Sequence, residues 1–351
     1  MAPIKLVTIV GARPQFIKAF PLSRALKHAG EFDEIVVHTG QHFDEAMSDV
    51  FFSELEMEEP RYRFSIRSHT HGAMTAEMLS AVEGVLIEER PRAAIVFGDT
   101  NSTLAGALAA AKLQIPLVHI EAGLRSFNRT MPEEINRVVT DHLSALLLCP
   151  TAQAIRNLSR EGIEHGVHRT GDLMYDATLL ATPVAERRCD VLTRFGLAEK
   201  NYSVATVHRA ANTDDAQSLG AVMDYIAQAA RERPVVLALH PRTRKALERF
   251  GIGAERPGVV VSGPLGYLDM TKLLHHAALV LTDSGGVQKE AYFHRVPCII
   301  LRDETEWTEL VEAGWNRLWR GGDFRPRREI ADYGQGRAAE EIAGLLGRAF
   351  S

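Results

Sequence analysis

A short glycine-containing segment offers the first chemistry in this chain. Ser284-Gly285-Gly286 follows an apolar run, 278–283, and opens a helical pattern, with Glu290 four residues further on. Glycines let the backbone approach an anion, and the free N–H groups at the positive end of a helix bind one. A carboxylate one turn later can face a sugar diol. The segment, here called the diphosphate seat, predicts a site for a nucleoside diphosphate that carries a sugar, although a tight turn without a ligand explains the same glycines.

Acidic residues provide a second kind of chemistry. Asp99 and Glu121 each follow an apolar, strand-like run, and Glu133 comes a short distance after Glu121. Carboxylates at the ends of neighbouring strands repel one another unless cations pair them or one of them holds a proton. That repulsion moves a carboxyl pKa toward neutrality, where the group can act as an acid or a base. The three residues are therefore candidates for acid/base catalysis.

Structural roles would explain the same acidic residues. Asp99 could simply cap the helix that follows it, which the pattern places at 103–112. Glu121 could pair with Arg125, and Glu134 could pair with Arg137 one turn along a helix. Both readings stay open at this point.

Two histidines end apolar runs in the second half of the chain. His208 follows 204–207 and His240 follows 235–239, which suits a general acid or a phosphate ligand. A lone histidine would more often be structural, but two at equivalent positions favour a functional role. The chain has no H-E-x-x-H or C-x-x-C pattern, so no metal site is predicted. Gly11-Ala12-Arg13-Pro14 follows the first run in place of a dinucleotide fingerprint, which lowers the odds for a nicotinamide or flavin enzyme.

Parallel βαβ units must position these residues. Apolar, β-branched runs alternate with helical segments, about five in each half of the chain. We predict an α/β protein with two Rossmann-like doubly wound domains that face each other across a cleft. Residues 1–175 form the domain with the acid/base carboxylates, 176–335 the nucleotide-binding domain, and 336–351 a helix that packs back toward the first. Ligands bind beyond the carboxyl ends of such strands, where the candidate residues lie.

The bulk composition limits the partners. The 351 residues are 46% hydrophobic, enough for two ordinary cores. A net charge of −5 argues against nucleic acid or an anionic membrane as the main partner. Three scattered cysteines do not form a disulfide framework, and no run of about 18 apolar residues occurs. We predict a cytoplasmic protein with a small-molecule ligand.

Taken together, the ordered motifs resemble the non-hydrolysing UDP-N-acetylglucosamine 2-epimerases, whose two Rossmann domains are of the GT-B type. The resemblance covers nearly the whole chain. The matching segments include Gly11-Ala12-Arg13-Pro14, Thr39-Gly40-Gln41-His42, Gly98-Asp99-Thr100, Glu121-Ala122-Gly123-Leu124-Arg125, Pro132-Glu133-Glu134, His208-Arg209, His240-Pro241 and Thr282-Asp283-Ser284-Gly285-Gly286.

The resemblance implies inversion of C2 in a UDP-2-acetamido sugar. Members are thought to eliminate UDP to give a 2-acetamidoglucal, and to re-add it after a proton reaches C2 from the other face. No cofactor is implied. By resemblance, Asp99, Glu121 and Glu133 are the acid/base carboxylates, and His208 assists the departing or returning diphosphate.

The resemblance also implies which residues bind the UDP-sugar. Arg13, His240 and the diphosphate seat hold phosphates, and Glu290 holds the ribose diol. Lys18 and Arg302 contact sugar or phosphate oxygens. The other expected binding residues are Gln41, His42, Glu134, Arg137, Arg209 and Tyr267. A homodimer is implied as well.

Some segments depart from the common family pattern. Gln15 stands where a glutamate is usual, Ala210-Ala211 replace an arginine and a glutamate, and 304–309 differ from the usual text. Many bacterial members bind a second UDP-N-acetylglucosamine as an activator through residues in changed segments, so allosteric activation is in doubt. The variants resemble a subgroup that converts UDP-2,3-diacetamido-2,3-dideoxy-glucuronic acid to its manno epimer for O-antigen or capsule synthesis.

Two other functions remain open. A GT-B glycosyltransferase or a hydrolysing 2-epimerase would share the diphosphate seat and Glu290. A nucleotide-sugar-binding protein without catalysis would also keep the seat, but it would be expected to lack the carboxylates, and Asp99, Glu121 and Glu133 are all present.

Overall fold

The chain divides into two compact units. The computed structural model describes residues 2–41, Glu54, 57–68 and 70–351. The first unit comprises Met1–Ala177 and Ala331–Ser351, and the second comprises Thr178–Ile330. Residues 331–335, which the sequence placed in the second domain, pack with the first unit because Tyr333 is 1% exposed and its carbonyl accepts a hydrogen bond from Asp172 N at 3.2 Å.

Parallel strands form the sheet of the first unit. Their order is β3-β2-β1-β4-β5-β6-β7, and every neighbouring pair is parallel. The strands are β1 (Ile4–Val10), β2 (Phe32–His38), β3 (Tyr62–Arg63), β4 (Ala93–Phe97), β5 (Leu117–Ile120), β6 (Leu146–Cys149) and β7 (Val167–Arg169). The helices that alternate with them are α1 (Arg13–Ala29), α2 (His71–Glu89), α3 (Asn101–Lys112), α4 (Pro132–Leu143), α5 (Ala152–Arg160) and α6 (Leu173–Arg188).

The second unit repeats this architecture with the strand order β10-β9-β8-β11-β12-β13, again all parallel. Its strands are β8 (Ser203–Val207), β9 (Val235–Leu239), β10 (Val259–Ser262), β11 (Leu279–Thr282), β12 (Cys298–Ile300) and β13 (Asn316–Leu318). Its helices are α7 (Val191–Arg194), α8 (Ala210–Thr213), α9 (Ala216–Ala229), α10 (Pro241–Phe250), α11 (Tyr267–His276), α12 (Gly285–Phe293) and α13 (Thr308–Glu312).

Apolar central strands explain both cores. All five residues of β4, from Ala93 to Phe97, are fully buried, as expected for a strand covered by helices on both faces of a parallel sheet. In the second unit every residue of β8 and β9 is buried. The α/β class and the doubly wound pattern are thereby confirmed. No helix in the described part of the chain is long and apolar enough to cross a membrane.

The last helix returns to the first unit. After a short 3-10 turn, Ala331–Tyr333, the chain forms α14 (Ala338–Phe350), which packs against α1. The Asp176 carboxylate in α6 accepts a hydrogen bond from Ala339 N at 2.8 Å and so fixes the start of α14.

Each sheet has one point where the order of strand addition reverses. In the first sheet this switch point lies between β1 and β4, and in the second between β8 and β11. Ligands of doubly wound proteins bind outside the carboxyl ends of the strands at such points. The residues that follow these four strands are Gly11, Gly98, His208 and Asp283.

Candidate active site

Asp99 lies directly beyond β4 at the first switch point. Its carboxylate pairs with the Arg137 guanidinium, which also donates to Glu134 Oε2 at 3.1 Å. Asn136 Nδ2 donates to the Asp99 backbone oxygen at 2.9 Å. The side chain that caps α3 is Thr100, which accepts a hydrogen bond from Thr103 N. A helix cap therefore does not account for Asp99, whose side chain stays one-third exposed.

Glu121 lies directly beyond β5, with its carboxylate against Gly98 and Lys18. It forms an ion pair with Lys18, and both side chains are nearly buried. A Cβ atom at Gly98 would lie 3.1 Å from Glu121 Oε2, so this carboxylate contacts the residue preceding Asp99. Glu121 also has a φ of 69°, which is uncommon for a residue other than glycine and is often found at functional sites.

Glu133 and Glu134 lie in the first turn of α4, where the helix dipole favours negative charge. Glu134 is buried, and its oxygens accept hydrogen bonds from Ser126 N at 2.8 Å and Phe127 N at 2.9 Å. The ion pair between Glu134 and Arg137, which the structural reading of the sequence predicted, is therefore present. Glu133 is half-buried on the same turn.

The other proposed structural pair, Glu121 with Arg125, does not form. Arg125 Nη1 donates to Asp141 Oδ2 at 2.6 Å, and its Nε donates to Glu161 Oε1 at 2.7 Å. His119 joins this buried network, with Nδ1 2.6 Å from Asp141 Oδ1. Burial alone would raise the pKa of Asp141, but the charges of His119 and Arg125 hold it below its usual value.

This network reaches the switch point. His119 Nε2 donates to the Gly98 carbonyl at 2.8 Å, and Asp141 Oδ2 accepts a hydrogen bond from Gly123 N at 3.1 Å. Gly98 precedes Asp99, and Gly123 lies two residues after Glu121. Buried charges therefore fix the two loops that carry these carboxylates.

Gln15 joins the loops after β1 and β4. Its Oε1 accepts a hydrogen bond from Gly11 N at 2.8 Å, and its Nε2 donates to the Phe97 carbonyl at 2.8 Å. The same Nε2 lies 3.0 Å from the hydroxyl oxygens of Thr100 and Thr103. An ionised glutamate could not donate to the Phe97 carbonyl, which gives a physical reason for glutamine at this position.

The remaining binding candidates of the first unit are Arg13, Gln41 and His42. Arg13 is half-buried at the first residue of α1. Gln41 Oε1 accepts hydrogen bonds from Ser102 N at 2.9 Å and from Ser102 Oγ at 2.8 Å, so it connects the end of β2 to α3. His42 lies outside the described residues.

The second switch point brings together His208 and Asp283. His208 Nδ1 lies 3.2 Å from Asp283 Oδ1, and the His208 backbone N–H donates to the same carboxylate at 3.0 Å. The His208 and His240 rings are 5.3 Å apart. His240 is exposed, and its Nδ1 accepts a hydrogen bond from Arg242 N at the start of α10. The two histidines that follow β8 and β9 are therefore neighbours.

The diphosphate seat has the predicted geometry of a helix start. Ser284 is the N-cap of α12, and its hydroxyl accepts a hydrogen bond from Val287 N. A Cβ atom at Gly285 would lie 2.5 Å from Glu306 Oε1, so any larger residue would displace that carboxylate. The free N–H groups of the first helical turn remain available for an anion. Glu290 lies in the same helix and is 7% exposed.

Glu306 lies beside the seat with two arginines. Arg302 Nη1 is 2.9 Å from Glu306 Oε2, and Arg209 Nη2 is 3.8 Å from Glu306 Oε1. Burial would raise the pKa of Glu306, but the charges of Arg302 and Arg209 keep it below its usual value. Two buried donors here, Arg209 Nε and Trp307 Nε1, have no acceptor among the described residues. Tyr267, another expected ligand residue, is 2% exposed at the start of α11.

One group of side chains in the described ranges could approach a metal ion: Glu186, His275 and His276. His276 closes α11, so the group lies at the amino edge of the second sheet, opposite the diphosphate seat. His276 Nε2 is 2.8 Å from Glu186 Oε1, and its Nδ1 is 3.4 Å from Glu199 Oε2. These ion pairs account for the group without a metal.

Similarity to known proteins places the chain in a family. Residues 24–347 match the model of the family described as UDP-N-acetylglucosamine 2-epimerase. The chain belongs to this family. The family expected from the motifs is therefore confirmed, and with it an isomerase of this type.

Relatives match this epimerase family member over most of their length. UDP-2,3-diacetamido-2,3-dideoxy-D-glucuronate 2-epimerase of Pseudomonas aeruginosa is 50% identical, and the match covers 90% of this chain and 88% of that protein. A UDP-N-acetylglucosamine 2-epimerase homolog of Methanococcus maripaludis is 45% identical over 98% of this chain and 99% of its own. The crystal structure of Methanocaldococcus jannaschii UDP-GlcNAc 2-epimerase in complex with UDP-GlcNAc and UDP has 41% identity and a TM-score of 0.90, covering 98% and 99% of the two chains.

Sequence reasoning missed several residues that hold the loops of the candidate site in this epimerase family member. Asp283 was included in a motif but given no role, although it ends an apolar run directly before Ser284. That position at the carboxyl end of a strand was the available signal. His119 and Asp141 gave no such signal, because these two residues contact each other although they lie 22 residues apart in the chain.

Proposed function

We propose that this protein inverts C2 of a UDP-2-acetamido sugar without net hydrolysis. The reaction is of the UDP-GlcNAc to UDP-ManNAc type, with UDP-2,3-diacetamido-2,3-dideoxy-glucuronate as the preferred substrate. The observation that carries the proposal is the placement of Asp99 and Glu121, each ion-paired, after the neighbouring strands β4 and β5, with the Glu121 carboxylate against Gly98. The uronate is favoured by the 50% identity to the Pseudomonas aeruginosa enzyme named for it.

The chemistry requires an acid and a base at C2. The C2–H and C1–O bonds break as UDP leaves, and a C1=C2 double bond forms in the glycal. A proton then reaches C2 from the opposite face while UDP re-adds at C1. Asp99, Glu121 and Glu133 are proposed to carry these proton transfers, since carboxyl groups held in fixed positions are efficient acid/base catalysts. Arg137 and Lys18 hold the first two carboxylates in place.

The second unit is proposed to hold UDP. The N–H groups of the diphosphate seat bind phosphate oxygens, His208 and His240 assist from the ends of β8 and β9, and Glu290 holds the ribose diol. The buried donors Arg209 Nε and Trp307 Nε1 support an anionic ligand, because unpaired buried donors are rare in proteins. Further proposed contacts with the UDP-sugar are those of Arg13, Lys18, Gln41, Glu134, Arg137, Tyr267 and Arg302.

Product analysis separates this function from its alternatives. The purified protein is incubated in parallel with UDP-N-acetylglucosamine and with UDP-2,3-diacetamido-2,3-dideoxy-glucuronate, and the nucleotide products are resolved by chromatography. A manno nucleotide sugar without free UDP is the expected product, formed faster from the uronate. Free sugar accumulating with UDP would establish a hydrolysing enzyme instead. A sugar transferred to an added acceptor would identify a glycosyltransferase, and no conversion would indicate a binding protein.

The assembly and cellular setting belong to the same proposal. We expect a cytoplasmic homodimer whose product serves surface polysaccharide synthesis. No disulfide joins Cys149, Cys189 and Cys298, all of which lie in the described ranges, and this is consistent with a reducing compartment. Light scattering of the purified protein should give about twice the 38.8 kDa chain mass, whereas a mass near that of one chain would contradict the dimer.

A further inference from the structure

A buried carboxylate that takes no part in the reaction steps above lies beside His208. Asp283 is 0% exposed. It accepts hydrogen bonds from the backbone N–H groups of His208 at 3.0 Å and Arg209 at 2.9 Å, and from Asn212 Nδ2 at 3.0 Å. Its Oδ1 is also 3.2 Å from His208 Nδ1. Four donors thus converge on one carboxylate, and two of them belong to His208.

These donors keep Asp283 ionised. Burial alone would raise its pKa, but the hydrogen bond and charge of His208, together with Arg209 N and Asn212, hold the pKa below its usual value. An ionised carboxylate only accepts hydrogen bonds, so Nδ1 of His208 must carry the hydrogen between them. Nε2 is then the ring nitrogen at which His208 can take up or release a proton.

We propose that Asp283 is a positioning residue for His208, fixing the imidazole with hydrogen on Nδ1 and presenting Nε2 to the diphosphate. The inference rests on the proposed role of His208 in assisting the diphosphate. Protonated Nε2 donates to the phosphate oxygen that leaves C1, and the proton returns to Nε2 when that oxygen re-adds. The carboxylate stabilises the imidazolium form without itself exchanging a proton, as in other Asp-His pairs.

A purely structural carboxylate would act only on the backbone. Asp283 holds the turn after β8 through the N–H groups of His208 and Arg209, and Asn212 ties the carboxylate to α8. Both roles predict a loss of stability when Asp283 is replaced. They differ in what happens to the His208 ring, so the test must observe the ring directly.

The first measurement is ¹⁵N NMR of the histidine side chains in the full wild-type protein, with and without UDP. The His208 signals are assigned by their loss in His208→Gln. We expect hydrogen on Nδ1 in the neutral ring, with Nε2 as the bare nitrogen. A neutral ring with hydrogen on Nε2 and a bare Nδ1 would overturn the proposal, and this result needs no variant of Asp283 to fold.

The second measurement is the kinetics of Asp283→Asn. Its amide can donate to Nδ1, which shifts the ring hydrogen to Nε2, so we expect kcat to fall about 10²–10⁴-fold. KM and the Kd for UDP should change less than about threefold, because the seat itself is intact. The matched control is Asn212→Ala, which removes a donor to Asp283 without touching the ring and should keep the wild-type tautomer and most of kcat. Unchanged kcat in Asp283→Asn, or an equal loss in Asn212→Ala, would overturn the inference.

A double variant separates this inference from the proposed function. If Asp283 acts through His208, Asp283→Asn should cost no further turnover when added to His208→Gln. Independent, additive losses would overturn the positioning role alone. Wild-type turnover in His208→Gln itself would overturn the role proposed for His208 together with this inference.

Discussion

At the scale of single residues, cations hold two of the three candidate acid/base residues in place. Asp99 pairs with Arg137, and Glu121 pairs with the nearly buried Lys18. Each carboxylate is thereby fixed at the end of a strand, which is the arrangement that proton transfer at a bound sugar requires. The same ion pairs also mean that neutralising a carboxylate changes local charge, so binding and turnover must be measured separately.

The first prediction concerns these carboxylates. Asp99→Asn, Glu121→Gln and Glu133→Gln should each lower turnover about 10²-fold or more, the usual scale for a general acid or base. UDP binding, measured by calorimetry, should persist because the seat lies in the second unit. Glu164→Gln, an exposed residue, is the control and should leave turnover unchanged. Near-wild-type turnover in all three variants would remove the acid/base assignment.

The second prediction concerns the ribose contact. Glu290→Gln should weaken UDP binding about 10- to 100-fold, because hydrogen bonds to a charged acceptor contribute about 1.5–3 kcal/mol. Turnover at saturating substrate should change much less, since the ribose lies away from C2. Kd from calorimetry and kcat from initial rates give the comparison. A variant with normal Kd and reduced kcat would contradict the ribose role.

At the scale of secondary-structure elements, a close contact of the backbone at Gly11 fixes the loop between β1 and α1. Gly11 directly follows β1 at the switch point, where a Cβ atom would lie 2.0 Å from Thr39 Oγ1 and 2.2 Å from Ser102 Oγ. These two hydroxyls are hydrogen-bonded to each other at 2.7 Å, and Ser102 is also held by Gln41. They have little freedom to move aside, so the loop before α1 depends on glycine.

The third prediction follows from this contact. Gly11→Ala should lower the free energy of unfolding by about 1–3 kcal/mol, as overpacking in a core does. Gly84→Ala is the matched control, because Gly84 is exposed in α2 and an added Cβ would have nothing within 4 Å. In this variant the free energy of unfolding should rise by about 0.5–1 kcal/mol. Urea unfolding of both variants gives the values. A Gly11→Ala protein as stable as wild type would show that the loop can rearrange.

The sequence predicted the secondary-structure elements better than it predicted the contacts between side chains. The ten apolar runs all became strands, because burial on both faces demands continuous apolar residues. The edge strands β3, β7 and β13 were missed, since two or three residues carry no periodic signal. Ion pairs were the weakest predictions: Glu121 pairs with Lys18, 103 residues away, and not with Arg125. Such distant partners depend on strand order, which spacing along the chain does not determine.

At the scale of the whole molecule, the chain passes twice between its two units. It leaves the first unit within α6 and returns to it after Ile330. Asp176 in α6 fixes the returning α14 through Ala339 N. Burial, aided by the negative charges of Asp172 and Glu340, raises the pKa of Asp176 to about 6. This carboxyl therefore makes the stability of the folded chain depend on pH.

The fourth prediction is the direction of that dependence. Between about pH 4 and 6 the unfolded chain releases the Asp176 proton while the folded chain retains it, so the free energy of unfolding falls as pH rises through this window. Asp176→Asn keeps an oxygen acceptor but cannot ionise. Its free energy of unfolding should match that of the wild type near pH 4 and exceed it by about 2–3 kcal/mol at pH 7. Urea midpoints at both pH values test this, and a variant weaker than wild type at pH 7 would contradict it.

Epimerisation by elimination is tested most directly by proton NMR of the reaction in D₂O with UDP-2,3-diacetamido-2,3-dideoxy-glucuronate. A base that removes the C2 proton exchanges it with solvent before the glycal is reprotonated. We therefore predict a manno epimer with deuterium at C2, and the same exchange in the substrate that remains. A manno epimer that keeps its original hydrogen at C2 would contradict proton transfer through solvent-exchangeable carboxyl groups.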